Sequence, residues 1–88
     1  MKKVRVLIVE DSIMFRTTLQ KLFEDDDLIE VVDTAADVYE ARDKILDLRP
    51  DLITLDISMP KMNGIEFLKK LIPQYPIPVI VITSMAVS

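Results

Sequence analysis

The 88-residue chain has no cysteine, no histidine and a single glycine. Without cysteine there can be no disulfide and no thiolate metal site. Without histidine there is no Ser-His relay, no imidazole base and no His-ligated zinc. Long apolar runs are missing too: none approaches the roughly 18 residues of a membrane span. The opening "MKKVRVLIVED" has the lysines of a signal peptide. Its apolar stretch is short, contains Arg5 and ends in Glu10-Asp11, so it reads as part of the fold. Positive charge is in deficit, and a net charge of −4 argues against a nucleic-acid backbone as a direct partner. Neither membrane nor nucleic acid is expected as a partner, and the cytoplasm is the default location.

Half the residues are hydrophobic, too many for disorder, and the length suits one small domain, 1–88. Val4–Val9, residues 52–55 and Val79–Ile82 are continuous apolar runs of the kind that form parallel strands buried on both faces. Residues 29–34, "IEVVDT", are β-branched with charges mixed in, which suits an edge strand. Between these runs the apolar period changes. Phe15, Leu19, Leu22 and Phe23 share one helical face within Ile13–Glu24. Val38, Ala41, Ile45 and Leu48 share another, capped by Asp37 and ended by Pro50, with Glu40 and Lys44 as an i,i+4 pair on its wet side. Ile65, Leu68 and Ile72 mark a third helix, stopped by residues 73–78.

The order β-α-β-α-β-α-β predicts an α/β fold: a doubly wound parallel sheet with helices on both faces. The flavodoxin-like strand order 2-1-3-4 fits, because the charged second strand belongs at an edge. In that order the first and third strands are neighbours, about 4.8 Å apart. The first ends in Glu10-Asp11 and the third in Asp56, so three carboxylates meet at the switch point where such sheets bind ligands. Anions that close hold a proton or share a cation, and an all-oxygen site suits Mg²⁺. Thr83-Ser84, after the fourth strand, brings hydroxyls to the other side of Asp56. A carboxylate beside Mg²⁺ is equipped to take a phosphoryl group as an acyl phosphate. Asp56, the central acid, is assigned as nucleophile and the other two as metal holders. Asp11 or Ser12 is also an N-cap candidate, which does not exclude metal binding. The loop after Asp56 is constrained by Pro60 and by Gly64, which is expected to supply a positive φ or a close approach.

"VLIVEDS", "DLITLDISMPKMNG" and "PVIVITS" together resemble the receiver domain of bacterial two-component response regulators. "TLDISMPKMNGIEFLKKL", preceded by "VDTAADVYEARDKI", most resembles the regulatory domain of chemotaxis protein-glutamate methylesterases. The resemblance implies that Asp56 takes a phosphoryl group from the phosphohistidine of a sensor histidine kinase. It implies that Asp11 binds Mg²⁺ directly, Glu10 through water and Ser58 through its backbone carbonyl, and that Thr83 is a switch hydroxyl. Met14 and Phe15 would dock the kinase. Two departures stand out. The family more often has aspartate where Glu10 stands, and the extra methylene is expected to loosen the metal shell. The family also has a fifth strand, with a phosphate-binding lysine, and a last helix, and the sequence stops before both. The chain is thus read as a truncated receiver whose output domain is missing and whose catalytic lysine is absent. As such a fragment it is not read as an enzyme, although its parent could be a methylesterase.

Two rivals remain at this level. One is a Mg²⁺-dependent phosphatase or phosphotransferase with an aspartyl nucleophile, which typically has a second acid two residues on, where this chain has Ser58. The other is a non-catalytic binding fragment with solvated acids. The apolar fourth strand becomes an edge with no charge to blunt it, so the chain is expected to self-associate through that strand or through the uncovered sheet face, with residues 84–88 disordered or recruited.

Overall fold

The computed structural model describes residues 2–57 and 64–83, without the side chains of 64 and 65. The elements follow the expected order: β1 (Val4–Val9), α1 (Ile13–Glu24), β2 (Ile29–Ala35), α2 (Val38–Leu48), β3 (Leu52–Asp56), α3 (Gly64–Leu71) and β4 (Val79–Ile82). The four strands form one parallel sheet in the order β2-β1-β3-β4. The charged strand lies at an edge, as its composition demanded, and the more apolar β1 and β3 fill the centre. The edge is irregular: Val6 pairs with Val31 but Leu7 with Asp33, so Val32 is an extra residue in β2.

Side-chain alternation divides β1 between two layers. Leu7 and Val9 join Ala35, Ile53 and Leu55 beneath α2 and α3, where Val38, Ala41, Ile45, Phe67 and Leu71 complete the core. Val6 and Ile8 are equally buried on the opposite face. Helix α1 has no fully buried residue. Phe15, Leu19 and Phe23 are half-buried, but Leu22, expected on the inward stripe, is exposed. Its position at the stripe's margin turns it past the sheet.

The cap residues act as the sequence suggested. Asp37 accepts the Glu40 N–H at 2.8 Å, and Glu40 pairs with Lys44 at 2.8 Å. At the other end of α2, Arg49 is left-handed (φ 49°), a conformation that favours glycine. The α3 stripe differs from expectation. Phe67 and Leu71 are the buried pair, Leu68 is half-buried, and Ile72 lies beyond the helix and is exposed. With eight residues the helix is only about two turns long, and Tyr75 and Ile77 extend its packing from the loop that follows.

Candidate functional site

Strand pairing fixes the site. Val9 pairs with Leu55, which sets Glu10 beside Asp56 at the C-terminal ends of β1 and β3. Hydrogen bonds carry the ladders one residue further: Glu10 N–H donates to Ala35 O at 2.9 Å, and Ile57 N–H donates to Ile82 O at 3.1 Å. Glu10 and Asp56 expose no surface, whereas Asp11 is exposed. One carboxylate oxygen from each of the three lies within 4.8 Å of the others.

The β1–α1 corner holds Glu10 on several sides. Ser12 N–H donates to Glu10 Oε2 at 2.8 Å, and Arg16 Nη1 donates to Glu10 O at 2.9 Å. Ser12 is the α1 N-cap, its Oγ accepting the Phe15 N–H at 3.2 Å. Of the two capping candidates it is therefore Ser12, and Asp11 is left for the crevice. Glu10 Oε1 is buried and has no hydrogen-bond partner. Burial, then the adjacent Asp56 carboxyl, push the Glu10 carboxyl up to about 8, with the Ser12 N–H pulling the other way. An orphaned carboxyl oxygen among three crowded acids is the arrangement a hard, oxygen-seeking cation relieves. The residues present therefore fit Mg²⁺.

A response regulator receiver domain model matches residues 6–88. The chain belongs to the response regulator receiver family. It is 52% identical over 84 residues to a protein-glutamate methylesterase/protein-glutamine glutaminase of Syntrophotalea carbinolica, covering 96% of this chain and 24% of that protein. Among solved structures it resembles the response regulator domain of Thermotoga maritima CheB, with a TM-score of 0.87 and 41% identity over 94% of this chain and 62% of that one. It also resembles the crystal structure of the CheA3 P1 domain in complex with CheY6 from R. sphaeroides, with a TM-score of 0.83 and 34% identity over 99% of this chain and 68% of that one. The chain thus spans about a quarter of the length of the curated relatives it matches.

In this receiver domain the three predicted acids come together. Thr83 follows β4 immediately, one residue past Ile82, the register partner of Asp56. Met14 is 81% exposed near the acidic end of the sheet, and Phe15 beside it is half-buried. Gly64 is the first residue of α3, and no glycine among the described residues has a positive φ, so of the two roles expected for it the positive φ is not realised. Ser58, Pro60 and the 84–88 segment lie outside the described residues. Among those residues no helix is long and apolar enough to cross a membrane.

Two features escaped sequence reading. Arg16 reaches back six residues to the Glu10 carbonyl, and a cation one turn after the cap was the only available signal. Thr54, a polar residue in the middle of β3, is buried with its Oγ1 unpartnered. Nothing in an apolar run marks such an atom.

Proposed function

We propose that this receiver domain accepts a phosphoryl group on Asp56 from a sensor histidine kinase and thereby regulates an output domain, in the manner of a chemotaxis methylesterase, in the cytoplasm. The observation that carries the reading is the buried Glu10–Asp56 pair with exposed Asp11 at its mouth and one orphaned carboxylate oxygen. An Asp56 oxygen attacks phosphorus, the P–O bond forms, the P–N bond to the kinase imidazole breaks, and that nitrogen is left to take a proton. Asp11 and Asp56 would hold Mg²⁺ directly, Glu10 through water and Ser58 by its carbonyl. When bound, Mg²⁺ neutralises charge on the phosphoryl oxygens. Burial keeps water from the Asp56 carboxylate, and Thr83 is the hydroxyl placed to respond to the acyl phosphate. The solved P1–CheY6 complex supports a kinase domain as the donor; Met14, exposed, and Phe15, half-buried beside it, are taken as the docking contacts for their place near the acidic end of the sheet.

The β4 edge supports self-association of the 88-residue chain. Ile80 is 50% and Val81 45% exposed on a strand without a charged residue. Treatment with a small phosphodonor and Mg²⁺, followed by peptide mass mapping, tests the chemistry. Covalent phosphate is expected on Asp56 and absent from Asp56→Asn; phosphate on Ser58 or Thr83 would overturn the assignment.

A further inference from the structure

Glu10 is tethered by an arrangement whose last link is Arg16. Three hydrogen bonds close a ring through the β1–α1 corner. Ser12 N–H donates to Glu10 Oε2 at 2.8 Å, Arg16 N–H donates to Ser12 O at 2.9 Å, and Arg16 Nη1 donates to Glu10 O at 2.9 Å. The Glu10 N–H is already engaged by Ala35 O. Its carbonyl points to the same side, yet β2 ends at Ala35 and the chain passes into Asp37, the α2 cap. The sheet therefore offers that carbonyl no further donor, and a buried carbonyl needs one. Arg16, half-buried in α1, supplies it. What remains unengaged on Glu10 is Oε1.

We propose that Arg16 is a positioning residue for the cation site: by holding the Glu10 carbonyl it fixes the strand end from which Glu10 and Asp11 present their carboxylates. The proposal rests on the metal reading given above. Its sign separates it from a charge effect. A guanidinium near a cation site repels the cation, so on electrostatics alone removing Arg16 would tighten Mg²⁺ binding. Removing a positioning link loosens the carboxylates and weakens binding, by about tenfold where an outer-shell contact to a ligand is lost.

The test is calorimetric Mg²⁺ titration of the 88-residue chain at pH 8 and low temperature, on variants whose folding is first verified by circular dichroism. Arg16→Met keeps the stem but not the donor or the charge, and binding about tenfold weaker than in the parent is expected. Arg16→Lys, which retains a donor and the charge, is expected to recover most of the affinity. Should Arg16→Met fail to fold, Arg16→Gln, with a neutral amide donor on a shorter stem, takes its place and is expected to weaken binding. Unchanged or tighter Mg²⁺ binding by the folded variant overturns the proposal, even if its melting temperature falls. Asp11→Asn is the control for the underlying reading. A parent that binds no Mg²⁺, or an Asp11→Asn variant that binds as the parent does, overturns the metal reading and this proposal with it. Weakened Asp11→Asn beside parent-like Arg16→Met overturns the positioning role alone.

Discussion

Glu10→Gln should make the metal-free protein more stable at neutral pH and remove much of its pH dependence. The carboxyl is pushed up to about 8 in the fold from its ordinary value of 4.5, first by burial and then by Asp56. Between those values the folded state holds a proton that the unfolded chain has released. Stability is then full below pH 4.5 and is lost as pH rises through 8, because the native state binds more protons across that window. At pH 7 the loss amounts to roughly 3.5 kcal/mol, from about 2.5 pH units at about 1.4 kcal/mol each. That figure is a ceiling, because Glu10 lies at the end of the sheet beside exposed Asp11, where solvent relaxes part of the penalty.

The chain has no histidine, so few other side chains change charge between pH 5 and pH 8.5, roughly the interval between ordinary carboxylates and thiols or amines. Urea unfolding with a chelator present, at several pH values across that interval, reads the effect directly. The parent midpoint should fall by roughly 1 M or more, given a slope of about 1 kcal/mol per molar urea for so small a domain. The midpoint of the glutamine variant should stay nearly level and exceed that of the parent at pH 8. Saturating Mg²⁺ should restore the parent most at high pH, where the site is deprotonated, and the variant less. Parallel midpoint curves for the two proteins from pH 5 to pH 8.5 would refute the claim that burial of this carboxyl governs the window.

Arg49→Gly should be more stable than Arg49→Ala by about 1 kcal/mol, since both lose the Tyr75 ring contact at 5.4 Å and only glycine relieves the left-handed backbone; equal thermal midpoints would show that no strain is held there. Ile80→Lys should shift the 88-residue chain toward monomer in sedimentation over a wide concentration range, and a parent that is already monomeric at every concentration, with sharp melting, would remove the case for edge pairing. Met14→Lys should slow phosphoryl transfer from a cognate kinase, and unchanged transfer would discard the docking role.

Much of this was legible in the sequence, for a physical reason. Strands buried on both faces read as unbroken apolar runs, and the charges of residues 29–34 could only be tolerated at an edge. Those two facts selected the strand order, and the order in turn put Glu10 beside Asp56 across 45 intervening residues. Helix faces were less legible. A stripe drawn through Ile65, Leu68 and Ile72 is rotated from the buried pair Phe67 and Leu71 by about one residue, or about 100°. Both sets obey helical spacing, and only the position of the sheet chooses between them. Arg16 was invisible for a different cause. Its partner is a main-chain carbonyl, and a side-chain pattern carries no record of which carbonyls a sheet leaves without donors.

Unequal burial explains why these acids suit a cation rather than merely solvent. Three exposed carboxylates at this spacing would be stabilised by water and would gain little from an ion. Two here have no solvent contact, and one of them carries an oxygen with no hydrogen bond. Their mutual repulsion and lost hydration are held in place by strand pairing, which sets the separation whether or not a cation is present. A proton relieves that energy for one carboxyl at a time. A divalent ion relieves it for all three at once, through Coulomb terms that scale with its charge. Asp11, exposed at the mouth of the crevice, would offer an entering ion its first ligand. On this reading the depressed acidity of Glu10 and the affinity for Mg²⁺ have one origin. A substitution that relaxes the first without changing fold, as Glu10→Gln is expected to do, must weaken the second.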